Sequence, residues 1–189
     1  RVNEAEAVEV SVEVDVYDFA LPDRLSFWPE LNAYRIPRDG DPHDYYRLAQ
    51  AHRAVLNCWR WAPRLEGEGA DVVVDWTEYD RDVGPLLTGV AFAGSRRGPV
   101  PGEVMYLPFE DSWPTPLTEE TYDYHGYWPG RGDDRQHLID HYQTAPYLAD
   151  ALSNDYIGAF LSVQQQFFVH FEEKGYASTA MQCFYGGKN

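Results

Sequence analysis

Three groups of residues have the types and spacing to do chemistry. Glu110 and Asp111 are adjacent carboxylates followed closely by Trp113, just past the apolar run Val104-Met105-Tyr106-Leu107-Pro108-Phe109. A carboxylate pair at a strand end is the placement that acid–base work in a barrel requires. In a chain this acidic, a surface Glu-Asp is also common, so ligand contact and plain solvation both fit. Asn57, Trp59 and Trp61 alternate with Leu56, Cys58 and Arg60, so in a strand the amide and both indoles share one side. The apolar face of a pyranose stacks on indole while its hydroxyls need amide partners, which makes these three a sugar platform. Packing beneath a loop is the equal alternative. His137 and His141 stand four residues apart, a spacing that puts two imidazoles on one helical face. No third ligand lies near them and no His-Glu-x-x-His occurs, so no metal is expected.

The elements that must carry these groups read as repeated helix-then-strand units. Ser153, Asn154 and Asp155 are N-cap types, and Tyr156, Ile157, Phe160, Leu161, Phe167, Phe168 and Phe171 follow mostly at three- and four-residue intervals. Lys174 suits the negative end of the helix dipole and Gly175 a left-handed cap. Thr179 to Tyr185 then reads as a strand covered on both faces, with Tyr185 by its C-terminal end. An earlier unit runs from His43 to Ala54 as helix and Val55 to Trp61 as strand. Leu25-Ser26-Phe27-Trp28 begins a first strand, with Asn32 near its mouth. Val72-Val73-Val74 reads as a rim excursion, Asp75 or Thr77 as the cap of a helix from Glu78 to Leu87, and Val90 to Ala93 as a strand-like run. Thr115 to Pro146, rich in Tyr and Trp, fits a rim loop over a site.

Near the N-terminus Val8, Val10, Val12, Val14 and Val16 alternate with Glu9, Ser11, Glu13, Asp15 and Tyr17, the pattern of a strand with one wet face. A boundary follows at Leu21-Pro22, dividing a segment 1–22 from 23–189.

Composition limits the partners. A net charge of -16 opposes nucleic acid and anionic membrane, both of which reward clustered Lys and Arg. No apolar run is long enough for a membrane span, and Arg1-Val2-Asn3-Glu4 is no signal peptide. Cys58 and Cys183 fall in separate apolar strands and read as buried free thiols, which leaves the compartment open. A Gly-rich phosphate loop, a Gly-x-Ser-x-Gly elbow and a metal-spaced Cys cluster are missing, so no cofactor is expected. With 189 residues the chain is short for a closed (β/α)8 barrel of about 250. The expected fold is therefore α/β and the first half of such a barrel, with Arg1 and the terminal strand suggesting a piece cut at both ends.

Several stretches together resemble the catalytic region of glycoside hydrolase family 123 and its bacterial relatives. They are Val8 to Pro22, Tyr45 to Arg53, Val74-Asp75-Trp76-Thr77-Glu78-Tyr79-Asp80, His170 to Tyr176, and Phe184 to Asn189. The resemblance implies that Val8 to Val16 is the exit strand of an N-terminal β-sandwich and that a TIM-type barrel starts near Leu25. It implies an exo-acting β-N-acetylgalactosaminidase using substrate assistance, in which the substrate's acetamido oxygen attacks the anomeric carbon and an adjacent Asp-Glu supplies orientation and acid. That pair follows the fourth barrel strand, here Thr179 to Tyr185, and no Asp-Glu occurs after it. Catalytic residues are therefore assigned to none of these positions, and this piece alone is expected to be inactive. Asn32, Asn57, Trp59, Trp61, Glu110, Asp111, Trp113 and Tyr185 are the residues expected to touch an amino sugar or glycan. A non-catalytic carbohydrate-binding protein with the same aromatic cleft is the alternative, and a scaffold domain without a ligand the third.

Overall fold

The structure is a computed structural model and describes residues 10–33, 36–37, 39–58, 61–110, 113–116 and 152–183. Two βα-type units frame it. Strand β1 (Glu30–Ala33) is followed by α1 (Pro42–Ala51) and β2 (Val55–Cys58). Helix α1 starts where Asp41 accepts the His43 N–H at 2.9 Å and Pro42 occupies the first turn, where its missing N–H costs nothing. The first strand begins one residue past Pro29, not at Leu25 as expected. Phe27 and Trp28 stay exposed, and the Pro29 carbonyl accepts the Val55 N–H at 3.0 Å, so pairing starts there.

The excursion after β2 is an antiparallel hairpin of β3 (Arg64–Glu66) and β4 (Val73–Asp75). Asp75 accepts the Thr77 N–H at 2.9 Å, but the N-cap position of the next helical stretch is Trp76 and not Asp75 or Thr77 as expected. That stretch is divided into α2 (Thr77–Asp82) and α3 (Gly84–Leu87). Pro85 brings no backbone donor to a continuing helix, which accounts for the break. Val90–Phe92 is a 3-10 turn instead of a strand; Gly89 enters it with φ 82, a left-handed conformation that a strand cannot use.

Strand β5 (Val104–Leu107) and strand β6 (Ala180–Cys183) form the second parallel pair, separated by α4 (Asn154–Lys174). The ends of α4 match the sequence reading residue by residue. Ser153 Oγ accepts the Tyr156 N–H at 3.2 Å, and Gly175 caps with φ 72. The β1–β2 ladder is also parallel, and β2 runs beside β5. The two parallel ladders, β1–β2 and β5–β6, are separate two-stranded sheets that approach each other through β2 and β5, with a helix in the connection within each ladder.

One face of these strands is apolar. Leu56, Cys58, Met105, Leu107 and Met181 join Tyr46 of α1 and Val163, Phe167 and Phe171 of α4 in one core. Burying those side chains, at about 1.5–3 kcal/mol each, is the main reason the helices lie on this face. The β6 strand is half-buried, not covered on both sides, and Cys183 is exposed while Cys58 is buried. Burial on one side alone still pushes the Cys183 thiol upward.

Residues 10–22 pair with no described strand. Val10, Val12, Val14 and Val16 are exposed, because an alternating pattern buries its apolar face only when a sheet or second layer receives it. The chain is first fastened at 22–25. Arg53 donates to the Pro22 carbonyl, Arg97 to the Asp23 carbonyl, Arg24 to the Ser178 carbonyl, and Leu25 N–H donates to Glu103. Arg97 and Glu103, each with 4% of its side chain exposed, form a buried ion pair at the N-terminal end of β5.

Candidate functional site

On the strand face opposite the core, Val55 and Val104 are buried and apolar, and one residue pair further along the strands a polar layer gathers around Glu30. Asn57 Nδ2 donates to Glu30 Oε2 at 3.0 Å, Gln182 Nε2 donates to Oε1 at 3.0 Å, and the Tyr106 hydroxyl points at Oε2 from 3.5 Å. One side chain from each parallel strand therefore enters a single layer. Register explains why. Tyr106 and Gln182 are cross-strand partners, and Glu30 stands two residues before Asn32, the partner of Asn57. Glu30 is thus one residue pair from the level of Asn57 in the register, and its long side chain spans that step.

Burial grades across the layer. Asn57 and Tyr106 are buried, at 0% and 6% exposure, whereas Glu30 and Gln182 are half-buried. All three groups aimed at the carboxylate are neutral, and among the described residues no Arg, Lys or His pairs with it. Asn57 Oδ1 is buried without a hydrogen-bond partner among the described residues. An orphaned buried acceptor costs about 1–3 kcal/mol, which the layer carries in addition to desolvating part of a carboxylate.

The residues expected from the sequence are distributed unevenly. Asn32 and Asn57 are brought side by side by the β1–β2 ladder. Trp61 is buried in the core, where its indole N–H donates to the Tyr46 hydroxyl at 2.8 Å and its ring lies 6.3 Å from His43. Glu110 and Trp113, just beyond β5, exchange two backbone hydrogen bonds of 3.1 Å. Glu110 is half-buried; Trp113 is half-buried too and meets Phe109 and Phe167 edge to face, at centroid distances of 5.2 and 5.8 Å. Trp59, Asp111 and Tyr185 lie outside the described residues, as do His137, His141 and nearly all of the expected rim loop. Glu30, Tyr106 and Gln182 were not among the expected residues. Their signal was present: Gln182 is the single polar residue in Ala180–Cys183, and Glu30 shares the parity of Asn32.

A second cluster joins α2 to the end of α4. Asp80 Oδ1 accepts from the Tyr176 hydroxyl at 3.1 Å and lies 2.7 Å from His170 Nε2, while Lys174 Nζ lies 2.8 Å from Oδ2. Burial alone would raise the Asp80 carboxyl, but the hydrogen bonds from Lys174, His170 and Tyr176 outweigh it and hold it below the usual carboxylate range. The Tyr176 hydroxyl is pushed up to about 12, by burial first and then by the charge of Asp80. Two of the stretches that carry the family resemblance, Val74 to Asp80 and His170 to Tyr176, meet here. The cluster closes on itself and its chemistry is that of a helix–helix clamp.

Among the described residues no group of three or more His, Cys, Asp and Glu could hold a metal ion, and no helix is long and apolar enough to cross a membrane. No family model, curated protein or solved structure matches the chain.

Proposed function

We propose that these strands are the first four of a (β/α)8 barrel that binds N-acetylhexosaminides, the N-terminal half of a family-123-like glycoside hydrolase whose acid pair follows the fourth strand. The observation that carries this reading is the convergence of Glu30, Asn57, Tyr106 and Gln182, one from each parallel strand, on a single layer. Two parallel ladders joined through helices, with a polar layer on the strand face opposite the core, suit the inner wall of such a barrel. The chemistry of the layer suits a neutral polyhydroxylated ligand. It offers a carboxylate, amides and a phenol, and the chain's charge of -16 disfavours phosphorylated or anionic substrates. In the substrate-assisted scheme the acetamido oxygen is the nucleophile, so these strands need only bind and orient the sugar.

Calorimetric titration of the protein with N-acetylgalactosamine, N-acetylglucosamine and galactose tests the reading. Saturable binding that prefers an N-acetylated sugar is the expected result. A protein that binds none of them, nor any glycan on an array, is not a carbohydrate protein, and the scaffold reading takes its place.

A further inference from the structure

We infer that Glu30 is a ligand-contacting carboxylate that accepts a hydrogen bond from a hydroxyl of the bound sugar, with Asn57, Tyr106 and Gln182 holding it in position. The inference rests on the carbohydrate reading and names the group within it that touches the ligand. Three properties of the layer lead to it.

The first is unused capacity. A carboxylate has about four acceptor positions, and here Oε1 takes one donor while Oε2 takes one at 3.0 Å and a long one at 3.5 Å. Among the described residues Oε1 thus accepts one hydrogen bond and has capacity for another. Glu30 is half-buried while its partners Asn57 and Tyr106 are buried, so the carboxylate is the member of the three that solvent or a ligand reaches.

The second is the sign of the surroundings. Two amide N–H groups and a phenol O–H direct the positive ends of their dipoles at Glu30. These partners are neutral, and their positive dipole ends disfavour a cation arriving by the side that they occupy. The negative charge repels an anion. A neutral donor, and a hydroxyl above all, is the ligand group that this arrangement accepts.

The third is that the layer does not satisfy itself. Asn57 Nδ2 donates to Glu30, while Oδ1 is buried with no partner among the described residues. A layer serving packing alone does better with an apolar side chain at this position of β2. Keeping the amide makes sense if orienting Glu30 is its task.

The test is a cycle between protein and ligand. Affinities for N-acetylgalactosamine and its 3-, 4- and 6-deoxy analogues are measured by calorimetry on the wild-type protein and on Glu30→Gln, with Glu30→Asp as the second variant should the first fail to fold. One deoxy analogue is expected to bind the wild-type protein roughly tenfold more weakly, and the variant is expected to lose about the same factor with the parent sugar but almost nothing further with that analogue. Losses that multiply independently for every analogue, in a variant with wild-type circular dichroism, overturn the inference while leaving the carbohydrate reading intact. A wild-type protein that binds no sugar overturns the reading itself. Tight Ca2+ binding abolished by Glu30→Gln contradicts the dipole argument and makes the layer a cation site.

Discussion

The imidazole of His170 lies flat on the indole of Trp76, with ring centroids 3.9 Å apart and planes within 5° of parallel. The stack fixes the ring so that Nε2 meets Asp80, and the same carboxylate holds Lys174 and Tyr176. Helix α2 is thereby clamped to the last turn of α4. Asp80→Asn is expected to lower stability by about 1–3 kcal/mol, because it leaves Lys174 and His170 beside a neutral amide. Urea unfolding measures this, and a midpoint within error of wild type would mean the clamp contributes nothing.

Acid should act through the same carboxylate. Its folded pKa lies below the ordinary value, so its contribution is complete above the unfolded pKa of about 3.9 and disappears as pH falls through the folded value. Melting temperature is therefore expected to fall more steeply below about pH 4 in the wild-type protein than in Asp80→Asn. Parallel curves would assign the acid sensitivity to other carboxylates.

Arg97 and Arg47 provide a contrast between a buried and an exposed ion pair. Arg97 pairs with Glu103 and donates to the carbonyls of Asp23 and Gln50, with 4% of its side chain exposed. Arg47 pairs with Asp41 and Asp44 with 38% exposed. Arg97→Met is expected to cost about 3–5 kcal/mol, since Glu103 is left buried and unpaired. Arg47→Met should cost about 0–1 kcal/mol. Chemical denaturation of both variants side by side decides it, and equal losses would refute the burial argument.

Gly89→Ala is expected to be severely destabilising. Gly89 has φ 82, and a Cβ built there would stand 2.2 Å from the Pro99 carbonyl oxygen. Gly98→Ala has the positive φ, 72, but no atom within 4 Å of a new Cβ, so only the conformational cost of about 1 kcal/mol should remain. A thermal melt in which the two variants fall together would show that the contact with Pro99 relaxes freely.

The two thiols should separate by reagent. Cys183 is exposed at the end of β6 and Cys58 is buried in β2. A thiol-specific disulfide reagent is expected to titrate one thiol in the native protein and both after denaturation. Reaction at Cys183 should accelerate with rising pH, because burial raises its pKa and only the thiolate attacks. Two equally reactive thiols in the native state would mean that β2 is not shielded.

Much of the scaffold was legible because its signals are local. Ser153, Gly175 and the apolar spacing between them define α4, Asp41 and Pro42 start α1, and short apolar runs after each helix give β2 and β6. Local signals also misled. The valines at 10, 12, 14 and 16 have the right period and no described partner strand, and Val90 to Ala93 has strand composition behind a left-handed glycine. The indole of Trp61 has the composition of a sugar platform, but whether it stacks on a ligand or on α1 depends on where the chain turns after Cys58. Only the tertiary structure seats it against Tyr46.

The amino-acid sequence by itself determined the helices α1 and α4, the strands that follow them, and which residues of those strands share a side, because caps, turns and alternation act within a few residues. It did not determine that Glu30 meets Gln182 across 152 residues of chain, nor that Asp80 meets His170 across 90. Those meetings depend on strand order, register and helix docking. These are set by burial of one continuous apolar face, and the side-chain contacts on the polar face follow from that packing.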